Sequence, residues 1–351
     1  MIGERLARAI RSRYGARMRR IVRIVAAVGV LLLAIAVATA VRWHQNALAD
    51  PVERRLRLAL PDWPAGARPI RIALLSDIHI GNSTMDAARL TRIVAIVNAA
   101  RPDLVLLAGD YVAEHDVAVA RAGAAALVAP IAGLRAPLGV VAVLGNHDQS
   151  VPALIAAALR RAGVTVLDNA AVVRGPLVIG GAGDAFSHHD DLPGTLRAMA
   201  GKPGAKIILT HSPDLTMHVP PTVGLVLAGH THCGQGVLPI VGPPRVFWKP
   251  GLRCGVIRRG GTTTIVSAGL GTSSVPLRVG APPDFWLVTV SGTDSGPSAS
   301  RRDWPGADGA GRRISPCGSP RTGTRRALRP DRSIRRRCRW WHCPSPLRRP
   351  P

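Results

Sequence analysis

Three short apolar runs in this chain each stop on a cluster of Asp, His or Asn, and that repeated pattern restricts the fold more than any other feature. Residues 70–75 run into Ser76-Asp77-Ile78-His79, 104–107 into Ala108-Gly109-Asp110, and 140–144 into Gly145-Asn146-His147-Asp148. A short, continuous apolar run bounded in this way reads as a fully buried strand. Between the first two runs, Leu90, Ile93, Val94 and Val97 fall at i, i+3, i+4 and i+7, which predicts a helix over 85–100 that Pro102 terminates. Pro152 suits the first turn of another helix. Strands alternating with helices argue for an α/β domain, in which chemistry collects at the carboxyl ends of strands. Runs at 178–179, 207–210, 225–228, 263–267 and 285–290 predict further strands, two of them ending at His211 and at Gly229-His230. The folded domain is therefore placed at 70–292.

The two ends are of a different kind. Residues 24–41 are eighteen positions without a charge, flanked by Arg23 and Arg42, long enough to cross a hydrocarbon core of roughly 30 Å. Eight Arg precede the run and favour an N-terminus in the cytoplasm. This predicts a single-pass anchor in the cytoplasmic membrane, with a basic cytoplasmic segment at 1–23 and the domain on the outer, periplasmic side. Ala38-Thr39-Ala40 fits a signal-peptidase site and Arg19-Arg20 a weak twin-arginine signal, so a cleaved signal stays open. Residues 42–69 read as a linker. Residues 293–351, rich in Arg and Pro, cannot bury enough surface to fold alone and read as a disordered tail, with a shifted reading frame as a fair explanation of their composition.

Charge follows the same division. Of the formal +25, residues 1–23 carry +7 and 295–351 carry +12, leaving +6 for the body. The body is no polycation, and nucleic acid is not expected as a partner. Five cysteines without CxxC spacing give no legible disulfide framework, although a Cys233–Cys254 bridge stays open outside the cytoplasm.

Asp77-Ile78-His79, Gly109-Asp110, Gly145-Asn146-His147-Asp148, Thr210-His211-Ser212 and Gly229-His230-Thr231-His232 together supply carboxylate, amide and imidazole donors suited to borderline divalent metals. One such fragment is commonly accidental; five in order, each at or just beyond a predicted strand end, are not. The ordered set resembles the calcineurin-like metallophosphoesterase family over residues 70–290. Leu75-Ser76-Asp77-Ile78-His79, His211-Ser212-Pro213-Asp214, Gly229-His230-Thr231-His232-Cys233-Gly234-Gln235 and Ser267-Ala268-Gly269-Leu270-Gly271-Thr272 look like its membrane-anchored branch, which includes phosphodiesterases and enzymes resembling UDP-2,3-diacylglucosamine hydrolases.

The resemblance implies a four-layer α/β/β/α sandwich after the membrane helix. It also implies two divalent ions (Mn, Zn or Fe), one held by Asp77, His79 and His232, the other by Asn146, His211 and His230, with Asp110 bridging. Two cations roughly 3.5–4 Å apart lower the pKa of a shared water and neutralise phosphoryl charge. His147 matches no ligand position and is expected to protonate the leaving oxygen or stabilise the transition state, with Asp148 orienting it. The expected activity is hydrolysis of a phosphodiester or pyrophosphate, carried by a small molecule or a lipid headgroup, a UDP-sugar lipid being the leading specific substrate. The rival readings are a non-enzymatic metal-binding membrane protein and a polybasic module for anionic lipid or nucleic acid. His115, His188, His189 and His218 are read as surface or loop residues, and Asp184 as a turn residue.

Overall fold

The computed structural model describes residues 2–113, 116–237, 242 and 248–293. The tail expected to be disordered and His115 lie outside the described residues. The chain begins with helix α1 (Ile2–Leu48) and continues through β1 (Val52–Ala59), β2 (Ile70–Leu75), α2 (Ala87–Ala99), β3 (Leu104–Ala108), α3 (Val117–Ala132), β4 (Val140–Val143), α4 (Pro152–Arg161) and β5 (Thr165–Val166). Then follow β6 (Ala170–Arg174), β7 (Leu177–Gly181), α5 (Leu192–Met199), β8 (Ala205–Leu209), β9 (Leu225–Ala228), β10 (Gly255–Arg259), β11 (Thr262–Val266) and β12 (Asp284–Ser291).

The strands form two six-stranded sheets, ordered β1-β12-β2-β3-β4-β5 and β10-β11-β9-β8-β7-β6. Within the first, β2, β3 and β4 are parallel. Within the second, β7, β8, β9 and β11 are parallel. The period-two alternation of strand side chains sorts each strand's residues between two cores. Ile72 and Leu74 of β2 meet Ile179, Ile207, Leu209 and Leu227 of the other sheet, while Ala73 and Leu75 face the helix side with Leu90, Ile93 and Val97. On the far face of the second sheet, Val178, Ile208 and Val226 pack with Leu192 and Met199 of α5. Helices, sheet, sheet and helix are thus four layers.

Local chemistry sets the elements as the sequence requires. Asp86 caps α2 by accepting from the Arg89 amide at 2.7 Å, satisfying a first-turn donor that the helix leaves open. The buried stripe on α2 contains Leu90, Ile93, Val94 and Val97. Pro152 opens α4.

Residues 42–69 differ from the expected linker. The helix continues to Leu48, and Val52–Ala59 is an edge strand paired in parallel with β12. Glu53, Arg54, Arg55 and Arg57 give this segment a polar appearance, but an edge strand tolerates charge on its exposed side, and Arg54 pairs with Asp284 at 3.5 Å. Within α1, Arg17–Leu48 is long and apolar enough to cross a membrane. Its Val30, Leu31, Leu32 and Leu33 are all more than half exposed, which water would penalise and lipid would not.

Candidate metal centre

Five loops converge at the carboxyl ends of strands from both sheets: those after β2, β3 and β4 in the first, β8 and β9 in the second. Each delivers the residues the sequence singled out. The Nε2 atoms of His79 and His232 lie 3.1 Å apart, and His232 Nε2 is 3.4 Å from Asp77 Oδ1. Asn146 Oδ1, His211 Nε2 and His230 Nδ1 form a second trio with separations of 2.9 to 3.2 Å. Between the trios, Asp110 Oδ2 is 3.5 Å from His79 Nε2 and 3.3 Å from His211 Nε2. A single carboxylate oxygen therefore reaches both groups.

The backbone at these positions is unusual. Asp77, His79, Asp110, His230 and His232 all have φ between 49° and 69°, a left-handed conformation that non-glycine residues seldom adopt and that persists where surrounding structure enforces it. Close approach explains two of the motif glycines. A Cβ at Gly229 would run into the Asp77 carboxylate and Ser76, and one at Gly145 into Asp110.

Further contacts fix the donors. Both Asp77 oxygens accept from the His230 amide, at 3.0 and 3.1 Å. Asp110 Oδ1 accepts from the His147 amide at 2.9 Å, which turns Oδ2 toward the imidazoles. His211 donates Nδ1–H to the Ala108 carbonyl at 2.7 Å, so its Nε2 is the nitrogen available to an ion. Asp148 also binds backbone. Its carboxylate accepts from the amides of Asp110, Tyr111 and Gly145 at 2.8 to 2.9 Å, holding the β3 and β4 loops together.

Electrostatics make the cluster a poor resting place without a cation. Burial lifts the Asp77 carboxyl to about 6, with Asp110 adding repulsion. Burial also lowers His79 to about 3 and, with the charge of His211, His230 to about 4. Asp148 is raised to about 7, first by burial and then by Asp110. Burial alone would raise Asp110 and lower His211, but their mutual attraction reverses both, holding the carboxyl well below its usual range and the imidazole well above. A proton thus sits where the donor set would accept a metal ion, and metal binding at such a site proceeds by proton release. The remaining donors fit an ion for a simpler reason: Asn146 Oδ1, His230 Nδ1 and the two facing Nε2 atoms are lone pairs converging on one another. Asp77 with His79 and His232, and Asp110 with Asp77 and His211, offer ligand atoms within 4.8 Å of each other.

His147 also comes within that range of His79 and Asp110, its ring standing edge-on to His79 with centroids 4.7 Å apart. It lines a cavity of about 540 Å³ together with Asp110, Asn146, His230 and His232. His188, His189 and His218 are exposed, and Asp184 accepts from Ser187 in a turn.

Three contributors were not singled out in the sequence. Arg278, fully buried, donates to the carbonyls of Ala268, Gly269, Gly271 and Ala281, pinning the loop behind Asp77. Phe186 packs on the His230 ring at 4.5 Å and lines the cavity, as does Trp43 of α1. Only Trp43 carried a sequence signal, lying just past the apolar run. Cys233, next to His232, is disulfide-bonded to Cys254 with Cα atoms 4.8 Å apart.

Comparison with known proteins gives the same assignment. The model of the calcineurin-like phosphoesterase family matches residues 70–234. The metallophosphoesterase YkuE of Bacillus subtilis is 28% identical over 72% of this chain and 89% of its own length. A transmembrane protein with a metallophosphoesterase domain from Danio rerio is 30% identical over 71% of this chain, which spans 60% of that relative. The phosphodiesterase YaeI of Escherichia coli is 32% identical over 54% of this chain and 70% of its own length. Likeness at that level across most of a relative's length makes this chain a member of the calcineurin-like phosphoesterase family and a hydrolase of phosphate esters.

Proposed function

We propose that the protein is a membrane-anchored phosphodiesterase or pyrophosphatase working with two divalent ions, of Mn, Zn or Fe, at the outer face of the cytoplasmic membrane. The observation that carries the reading is the reach of Asp110 Oδ2 to imidazoles of both trios. Asp77, His79 and His232 would hold one ion, Asn146, His211 and His230 the other, and Asp110 both. Two such ions supply a nucleophile from water at neutral pH and offset phosphoryl charge. With only two carboxylates among the seven donors, the loaded site keeps net positive charge and attracts phosphate. His147, facing the cavity beside His79, is the group placed to give a proton to the leaving oxygen.

The outward orientation is supported by the eight Arg before residue 24 and by the Cys233–Cys254 bridge, a bond that persists in oxidising compartments. An exported phospholipid or cell-wall intermediate suits that side better than a cytoplasmic UDP-sugar lipid. The test is a screen of the full chain in phospholipid nanodiscs with Mn²⁺, Zn²⁺, Fe²⁺ and Mg²⁺ against mono-, di- and pyrophosphate esters. Preferential cleavage of diesters or pyrophosphates is expected, and cleavage of monoesters alone would defeat the proposal. A reporter active only outside the cytoplasm, fused after residue 292, should be active; cytoplasmic activity alone would reverse the orientation.

A further inference from the structure

The end of α1 does more than connect. Arg278 N–H donates to the Trp43 carbonyl at 3.0 Å, His44 Nδ1–H to the Pro276 carbonyl at 2.8 Å, and Asn46 Nδ2 to the Arg278 carbonyl at 3.3 Å. These bonds clip the helix end onto the 276–278 segment. Trp43 thereby becomes part of the cavity that holds Asp110, Asn146 and His147, alongside Trp248, Val275, Leu277 and Val279. Val275 is 53% exposed. Among the described lining residues there is no Lys or Arg, so nothing in that lining is built to bind a second phosphate or a charged sugar acid by ion pairing.

The position of Trp43 relative to the membrane decides what this wall meets. The uncharged run ends at Val41, and at a helical rise of 1.5 Å per residue Trp43 lies roughly 3 Å further along the axis. That is the interfacial depth where tryptophan side chains concentrate. A cavity with catalytic donors at one part and an aromatic and aliphatic wall at membrane level joins two environments that a water-soluble substrate would not need joined.

We propose that Trp43, Leu277 and Val279 bind the hydrocarbon chain of a membrane-resident phosphate ester, so that the anchor helix is a wall of the active site and selects for a lipid tail. This rests on the phosphoesterase reading above and adds a substrate feature to it. The phosphoryl group sits at the donor cluster while the chain runs past Trp43 into the bilayer.

The experiment uses the full chain in nanodiscs, with Mn²⁺ and three nitrophenyl phosphodiesters bearing a methyl, an octyl or a thymidine group. Wild type is expected to favour octyl over methyl by about tenfold or more in kcat/KM, and Trp43→Ala or Leu277→Ser to cut that octyl-to-methyl ratio by about tenfold, the scale set by apolar pocket contacts. Octylphosphonate and methylphosphonate binding, measured by calorimetry, provides the same ratio without turnover. An unchanged ratio in both variants would overturn the proposal, as would preference for the thymidine ester that Trp43→Ala abolishes, since the wall would then stack a base. If wild type cleaves none of the diesters while the phosphonate ratio still falls in the variants, the phosphodiesterase reading fails and the hydrocarbon wall stands.

Discussion

Asp110→Asn is the perturbation on which the two-ion arrangement bears hardest. Asp110 is 2% exposed, and its Oδ2 lies 3.3 and 3.5 Å from an imidazole nitrogen of each trio. Asparagine preserves volume and can still accept the His147 amide, but it removes the one charge shared by both groups. Deleting one partner from a buried charged set costs about 3–5 kcal/mol, equivalent to roughly 10²- to 10⁴-fold in affinity, and with Asp110 as the proposed bridge both ions would bear it. Asp77→Asn touches one trio only. Equilibrium dialysis followed by elemental analysis should therefore find a metal level at which Asp77→Asn retains about one ion per chain and Asp110→Asn less, with diester turnover falling further in Asp110→Asn. Full occupancy with unchanged rate in Asp110→Asn, or a greater loss from Asp77→Asn than from Asp110→Asn, would refute the reasoning.

Three further outcomes follow from other parts of the site. His147→Asn should slow an alkyl diester by roughly 10²–10⁴ and a nitrophenyl diester much less, with both ions retained; equal slowing would reject proton donation, and metal loss would make His147 a ligand. Arg278→Met should take the guanidinium donor from the carbonyls of Ala268, Gly271 and Ala281, each loss costing about 1–3 kcal/mol unless water enters, while Gly269 keeps the Asp284 amide; denaturant unfolding that shows no loss of stability would reject that role. Since burial raises the Asp77 carboxyl to about 6, an ion entering the metal-free protein must displace its proton below that pH. Because His211 also holds its proton above the usual imidazole range, metal affinity measured by competition with a chelator should fall as pH drops from about 8 and fall more steeply below about 6, and an affinity flat from about pH 8 down to pH 5 would contradict it.

Much of the donor set was legible because each donor follows a buried strand, and a strand's apolar run marks its own carboxyl end. Asp77, Asp110, Asn146, His211 and His230 all announce themselves that way, and His232 lies two residues on. The helix at 87–99 was equally readable, from periodicity and from the Pro102 stop. What escaped depended on partners distant in sequence. Strand β1 carries four charged residues, three of them consecutive, and gains its place only by pairing with β12, more than 200 residues later. Strands β6 and β10 lie at sheet edges and are at most half-buried, with an apolar run of only four residues (170–173) in the first and two (Val256 and Ile257) in the second. Arg278 reads as a surface residue until the fold surrounds it with carbonyls. The tie that Asp148 makes between two loops likewise depends on distant residues, since its carboxylate accepts from the amides of Asp110 and Tyr111. The positive φ shared by five donors had no sequence signal beyond the glycines beside them.

Electron paramagnetic resonance of the Mn²⁺-loaded full chain tests the central claim most directly, because two ions sharing the Asp110 carboxylate must be magnetically coupled. The account predicts two Mn²⁺ per chain and an exchange-coupled spectrum that Asp110→Asn converts to isolated-ion signals or abolishes. One ion per chain, or two that give only the spectrum of isolated Mn²⁺ in the wild-type protein, would contradict it.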